Sequence, residues 1–402
     1  MRVLHVITTI NPLFGGPSHG VRNIVYEVKK LGVQADVLSL DSPDEKFILD
    51  DSFCHYAIGP WQGPWWYNSK LIPWLKTNIL QYDFVVVHGL WLYHTYAVNK
   101  VIKQLKDQQS ANDAAIKQVP KVFIIPHGML DPYFQKAQNR LLKAIRNWVY
   151  WKLIESNVVN NADGILFTCE TELLLAKETF YPYKPKREVN IGYGILEPPA
   201  FTEAMRTAFL KKCPELTQEH YLLFLSRIHE KKGVELLINA YADLVKSLNS
   251  VKFPKLVIAG PGLETAYGQK MQQLAFDTHK LDKSIYFPGM LTHNTKWGAF
   301  YGCEAFILPS HQENFGIVVA EALACKKPVL LSNQVNIWRE VKAGKCGFVA
   351  DDTLEGTNQL LKKWFELPSS DRKVMEDRAR VTYEENFSIG PVARRYINTL
   401  RS

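Results

Sequence analysis

The 402-residue sequence predicts an α/β protein made of two tandem Rossmann-like domains, each a doubly wound parallel sheet. Three observations carry that prediction. Strand and helix patterns alternate through the first half, the alternation breaks near residue 194 in a stretch containing Gly194, Pro198 and Pro199, and a second alternation follows. The chain is also too long for a single hydrophobic core.

In the first half, apolar runs at residues 2–8, 35–40, 84–87 and 121–125 read as buried strands, with a helix pattern over 20–30. A short polar helix pattern follows the break, and a new strand opens at 221–225. Further strands are expected at 256–259, 284–287, 305–308, 328–331 and 347–350, with helices over 234–248 and 318–324. These patterns give a first domain over 1–200, a second over 201–380, and a C-terminal helix over 381–402 that returns to the first domain. Two such sheets in tandem create an interdomain cleft lined by the carboxyl ends of their strands, the usual ligand position of open α/β sheets.

Composition excludes several classes. The longest near-continuous apolar run, residues 84–93, is interrupted by His88 and is far short of the roughly 20 residues that span a bilayer. The N-terminal residues run directly into a strand pattern with no secretory-signal layout, so a cytoplasmic location is expected. Six cysteines stand singly (Cys54, Cys169, Cys213, Cys303, Cys325, Cys346), which indicates neither a disulfide framework nor a structural metal. A net charge of +8 suits an anionic partner without choosing one. No nucleic-acid-binding motif accompanies it, and nucleic acid is not an expected partner.

The chemistry-bearing residues sit where strands are expected to end. After the first strand, Asn11-Pro12-Leu13-Phe14-Gly15-Gly16 opens onto a helix, either as a phosphate-approaching loop or as an ordinary glycine turn. His127, in Pro126-His127-Gly128-Met129-Leu130, follows a strand and is the catalytic candidate of the first domain; His88 is a second. Taken without the rest of the pattern, each reads better as a histidine satisfied by a neighbouring backbone group in a turn. In the second domain Ser226-Arg227-Ile228-His229-Glu230-Lys231-Lys232-Gly233 joins strand to helix, and Arg227 and Lys232 are cations able to neutralise a diphosphate. The sharpest signal is Pro309–Ala324, with Glu313 before a helix that starts near Gly316 and Glu321 one to two turns inside it among Ala320, Ala322 and Leu323. A carboxylate among apolar neighbours needs a partner.

Taken in order, the Gly15-Gly16 loop, residues 126–130, 226–233 and 287–289, and the Glu-x7-Glu pattern of Glu313 and Glu321 resemble the family-4 retaining glycosyltransferases, whose two-Rossmann fold is called GT-B. The likeness runs over nearly the whole chain. It implies a hexosyltransferase acting on a nucleoside-diphosphate sugar, with a UDP-sugar, UDP-glucose first, as donor. It further implies that the Gly16 N–H, Arg227 and Lys232 meet the donor diphosphate and that Glu313 holds sugar hydroxyls. Asn314, Phe315, Gly316, Ile317 and Val318 would line the donor at the helix start, Glu321 would accept from the ribose, the base would pack near Pro288 and Met290, and His127 would sit beside the reacting sugar. Residues 126–130 and 333–338 look most like members that build exopolysaccharide or O-antigen units. Tyr193, where asparagine often precedes Gly194, and Lys326, where glycine is common, depart from the family pattern.

With Arg227, Lys232 and helix-end N–H groups supplying the charge, neither a metal nor a cofactor is expected, and front-face attack with retention is the implied route. The acceptor is expected to be a saccharide or lipid-linked saccharide. Trp61, Trp65, Trp66, Tyr67, Trp91 and Tyr93 offer it flat rings, or else pack a core. Residues 135–153, with Lys136, Arg140, Lys143, Arg146 and Lys152 among apolar residues, read either as a basic amphipathic helix at the inner face of a membrane or as a helix packed on its own domain. Within the same fold, an epimerase is an alternative; outside enzymes, so is a non-catalytic nucleotide-sugar-binding subunit of a polysaccharide assembly complex.

Overall fold

The structure is a computed structural model that describes residues 1–49, 51–111, 118–136, 141–247 and 253–402. It divides into two compact units, one of Met1–Gly194 with Ile389–Ser402 and one of Ile195–Ser388. The divisions lie at 194 and 389 rather than at 200 and 381. Ile195 N–H donates to Phe387 C=O at 2.9 Å within the second unit, while Ile389 is already buried in the first.

The first unit holds seven strands: β1 (Arg2–Val6), β2 (Gln34–Ser39), β3 (His55–Ala57), β4 (Phe84–His88), β5 (Lys121–Ile125), β6 (Gly164–Phe167) and β7 (Glu188–Asn190). They pair in parallel in the order β3-β2-β1-β4-β5-β6-β7. β3, β6 and β7 are absent from the sequence expectation. They have three or four residues each, and β3 and β7 lack the fully buried run that marks β4. Strands such as Val85-Val86-Val87 are apolar on both faces because helices cover both sides of the sheet.

The second unit repeats the plan with β8 (Tyr221–Leu225), β9 (Lys255–Ala259), β10 (Ile285–Gly289), β11 (Ala305–Leu308), β12 (Val329–Ser332) and β13 (Gly347–Ala350), ordered β10-β9-β8-β11-β12-β13 and all parallel. The strand order reverses between β1 and β4 in one sheet and between β8 and β11 in the other. The loops leaving those strands therefore open the crevice in which doubly wound sheets bind ligands.

The terminal helix Ile389–Arg401 packs on the helix Gly16–Lys30 of the first unit. Ile389, Val392, Ala393, Tyr396, Ile397 and Leu400 recur at helical spacing and are all buried. The chain thus returns to the sheet it started from, carrying Tyr396 to the centre of that core.

Candidate functional site

In the second unit the site begins with two stitched loops. Ser226 N–H donates to Ala259 C=O at 3.1 Å, and Ile228 N–H to Pro261 C=O at 2.8 Å, fixing the path after β8. Lys231 C=O accepts from the Ser310 hydroxyl and from His311 N–H, each at 2.8 Å, which ties that path to the loop after β11. Gly233 closes the turn at φ +66°, and a Cβ there would stand 2.0 Å from the Pro309 carbonyl oxygen, so only glycine admits this approach.

The stitching sets Lys232 against Glu313. Lys232, 8% exposed, places Nζ 2.5 Å from Glu313 Oε2. The Glu313 backbone is clamped in turn, its N–H donating to Gln334 C=O and its C=O accepting from Asn336 N–H, both at 3.0 Å. A lysine so buried requires a paired anion, and the carboxylate supplies it. Arg227, in the same loop, is exposed.

Helix Ile317–Ala324 starts at Gly316, whose φ of +79° turns the chain abruptly and which provides no side-chain cap. The first turn, Ile317 and Val318, therefore offers backbone N–H groups and the positive end of the helix to an anion or a hydroxyl oxygen. Phe315 is buried, edge-on to Phe387 at 5.6 Å, and anchors the loop from beneath, while Asn314 is half-buried. Glu321 has one oxygen, Oε1, 2.6 Å from Lys296 Nζ. Its other oxygen, Oε2, is buried and accepts no hydrogen bond among the described residues. Burial pushes the Glu321 carboxyl above the usual range and Lys296 pulls it back.

Lys296 is the site residue that sequence reasoning missed. It lies one turn into the helix His293–Gly302, whose start is fixed by the Thr292–Thr295 capping box, and that box was the available signal. Pro288 lies near the end of β10, half-buried, and Met290 just beyond it is 61% exposed, so this edge offers apolar surface to a planar group.

The first unit carries its own cluster. The helix expected from Gly20 begins at Gly16, with Gly15 as its N-cap and Pro17 in its first turn. The Tyr193 hydroxyl donates to Gly16 C=O at 2.5 Å, so the tyrosine that departs from the family pattern holds this turn in place. His127 follows β5 at φ +52°. The turn it stands in is secured by buried Glu172, which accepts from Gly128 N–H at 2.6 Å and from Thr168 N–H and hydroxyl at 2.8 and 2.5 Å. His127 Nε2 is 3.1 Å from His88 Nδ1, and His88 Nε2 is 2.9 Å from His5 Nδ1. The sequence candidates His88 and His127 are thus neighbours, and His5 completes a row. A small cavity of about 40 Å³ is lined by His88, His127, Thr168, Tyr193 and Tyr396.

The aromatic segment divides. Trp65 turns inward, its indole N–H donating to the Tyr150 hydroxyl at 2.7 Å, whereas Trp61 and Trp66 stack at 4.3 Å with planes 4° apart and Phe14 stands edge-on to Trp66. In the helix Leu141–Tyr150 and the turn after it, Trp151 is fully buried while Leu142, Ile145, Trp148, Val149 and Leu153 are exposed. Arg140 and the Lys136 side chain lie outside the described residues. No helix among the described residues is long and apolar enough to cross a membrane, and no group of metal-ligating side chains is found among them.

The molecule is thus a protein of two Rossmann-like domains, with a lysine–carboxylate pair and an uncapped helix start at the reversal point of the second sheet, where doubly wound sheets bind ligands. Residues 205–382, which lie within the second unit, match the family model of the glycosyl transferases group 1. An uncharacterised glycosyltransferase of Methanocaldococcus jannaschii is 24% identical over 226 residues, 54% of this chain and 55% of that protein. The N-acetyl-alpha-D-glucosaminyl L-malate synthase of Bacillus anthracis is 24% identical over 226 residues, 55% of this chain and 56% of that one. The chain spans about half the length of these curated relatives. Among solved structures, a Rickettsia africae glycosyltransferase superimposes with a TM-score of 0.74 at 16% identity, covering 100% of this chain and 97% of that one. Anabaena HepE in complex with UDP gives 0.71 at 16% identity, covering 100% of both chains. The fold is that of the GT-B glycosyltransferases.

Proposed function

We propose that this protein is a retaining hexosyltransferase of family 4, moving a sugar from a UDP-sugar, UDP-glucose first, to a saccharide or lipid-linked saccharide in polysaccharide assembly. The observation that carries this reading is the pair of lysine–glutamate contacts flanking one helix start: Lys232–Glu313 before it and Lys296–Glu321 inside it. A nucleoside-diphosphate sugar presents the complementary chemistry. Its diphosphate meets Lys232, Arg227 and the N–H groups of the Ile317 turn. Its sugar hydroxyls donate to Glu313, and a ribose hydroxyl donates to Oε2 of Glu321, the oxygen that accepts no hydrogen bond among the described residues. The base stacks near Pro288 and Met290. The leaving diphosphate gains charge as the glycosidic bond breaks, and fixed cations with oriented N–H groups stabilise it without a divalent ion. The UDP and UDP-glucose complexes of Anabaena HepE support the choice of base and sugar.

Thermal denaturation with UDP, GDP, UDP-glucose and GDP-mannose tests the donor. A ligand held at 100 times its Kd stabilises the native state by about 2.7 kcal/mol. The expected result is a rise in Tm with UDP and UDP-glucose that disappears in Glu321→Ala, and no rise with any nucleotide would overturn the reading. Retention is checked by the anomeric configuration of the product in NMR, where an inverted linkage would contradict the front-face route.

The exposed apolar residues Leu142, Ile145, Trp148 and Leu153, interleaved with Lys143, Arg146 and Lys152, support peripheral contact with an anionic membrane. Each basic residue near such a surface is worth about 1 kcal/mol. Reversing charge at Lys143, Arg146 and Lys152 is therefore expected to abolish co-sedimentation with phosphatidylglycerol vesicles while leaving UDP binding intact. Sedimentation unchanged by the triple reversal would remove this surface from consideration.

A further inference from the structure

The row of histidines in the first unit ends on a tyrosine. His5 on β1, His88 at the end of β4 and His127 beyond β5 join Nδ1 to Nε2 in sequence, at 2.9 Å for His5–His88 and 3.1 Å for His88–His127. The rings lie nearly parallel with centroids 5.2 and 5.3 Å apart. At the far end the Tyr396 hydroxyl is 3.3 Å from His5 Nε2. Tyr396 and His5 are both fully buried, His88 is 4% exposed, and His94 Nε2–H donates to the His88 carbonyl at 2.8 Å, holding the middle of the row in place.

A neutral imidazole has one N–H and one acceptor nitrogen, so once one member of such a row is assigned every other follows. Two assignments are possible. In the first, Tyr396 donates to His5 Nε2, His5 Nδ1–H to His88 Nε2, and His88 Nδ1–H to His127 Nε2, leaving the His127 proton on Nδ1. In the second, every bond reverses, His127 is protonated on Nε2, and the Tyr396 hydroxyl must accept from His5. The second strands the phenol proton, because the Tyr396 hydroxyl has no other hydrogen-bond partner among the described residues and the residue is fully buried. A buried O–H without an acceptor is the costlier arrangement. Burial also lowers the basicity of all three rings, to about 3 for His5 and about 4 for His127, so the row is neutral at physiological pH.

We propose that Tyr396 and His5 are positioning residues that fix His127 as the neutral Nδ1–H tautomer, making it a hydrogen-bond donor to an oxygen of the substrate and not a general base. The substrate part of this statement rests on the glycosyltransferase reading; the tautomer part does not. His127 Nδ1 makes no hydrogen bond to the protein among the described residues, so this N–H is available to a ligand. The group recognised there is an acceptor oxygen, either a sugar hydroxyl or a phosphate oxygen. The segment 389–402 therefore does more than complete a core, since it carries the hydroxyl that decides which nitrogen of a distant ring bears a proton.

Nitrogen-15 NMR of histidine-labelled protein at neutral pH, with the His127 signals assigned through His127→Asn, reads the tautomer directly and needs no substrate. The expected result is a single neutral Nδ1–H form of His127 in the native protein. In Tyr396→Phe, which keeps the ring and removes only the hydroxyl, neither direction is favoured, and a second population with the proton on Nε2 is expected. Finding Nε2–H in the native protein, or an unchanged Nδ1–H form in Tyr396→Phe, overturns the proposal. Should Tyr396→Phe lose its fold by circular dichroism, His5→Phe cuts the same row one bond further along and is read the same way. UDP binding, measured in parallel, separates the outcomes: a tautomer that shifts in a protein binding no nucleotide defeats the glycosyltransferase reading and leaves the positioning role intact.

Discussion

Lys232→Ala is expected to lower the rate of sugar transfer by about 10²–10³-fold, the scale on which removing one preorganised charge from a developing oxyanion acts. Two consequences of the substitution separate cleanly. Glu313 loses the cation 2.5 Å away while its side chain is only 22% exposed, so the variant also loses stability, on the order of 3–5 kcal/mol for a broken buried pair. Glu313→Gln in the Lys232→Ala background removes the uncompensated charge and is expected to recover part of that stability, because the two residues act as a coupled unit. It is not expected to recover transfer, which under the proposed function needs the cation on the phosphate and the carboxylate on the sugar. Steady-state kinetics with UDP-glucose and thermal melts of the four proteins in the cycle give both readings. Transfer by Lys232→Ala within threefold of the native rate would show that Lys232 has a structural role only.

Acid should unfold the first unit well before its carboxylates explain the loss. Burial lowers His5 to about 3 and His94 and His127 to about 4, and holds His88 well below the ordinary 6.5. The unfolded chain binds protons at these four positions near pH 6.5 and the folded one does not. Stability is therefore fully present above pH 6.5 and falls as pH drops from there toward 4. At 1.36 kcal/mol per pH unit, His5, His94 and His127 each contribute about 3 kcal/mol over that interval, a large fraction of the 5–15 kcal/mol that a domain possesses. Glu155 works in the opposite sense. Burial raises its carboxyl to about 8, so it is protonated when folded, and its contribution is present below pH 4.5 and lost as pH rises through 8. The melting temperature is expected to peak near neutrality and to drop steeply below pH 6.5. His94→Gln keeps an amide donor for the His88 carbonyl and removes one titrating group, so its acid limb should be shallower, while Glu155→Gln should flatten the alkaline limb. A melting temperature constant between pH 7 and 5 would mean that these histidines titrate normally and are not sealed as the fold places them.

The two predictions differ in how far the sequence reaches toward them. Glu313, Lys232 and Glu321 were legible because a strand-end loop and a helix start are local features. The spacing of residues 309–324 encodes both the turn and the turn-and-a-half between the carboxylates. The doubly wound plan was legible for the same reason, since β4, β5, β8, β11 and β12 are short apolar runs whose burial on both faces leaves no ambiguity. Strands β3 and β7 were not, because their strand character comes from a neighbour's free edge and hardly from their own residues.

The sequence by itself determined the fold class, the loops that carry chemistry and most of the charged residues in them, all of which follow from patterns within about 16 residues. Only the tertiary structure decided the partners: Lys296 for Glu321, Tyr193 for the Gly16 turn, Glu172 for the turn of His127, and Tyr396 for His5 across 391 positions of chain. It also decided that Trp151 is core while Leu142 and Trp148 face outward from the same amphipathic stretch. The physical reason is common to all of these. A hydrogen bond or a buried contact depends on where the parallel sheet brings separate strand ends together, and periodicity along one segment carries no information about which other segment will arrive there.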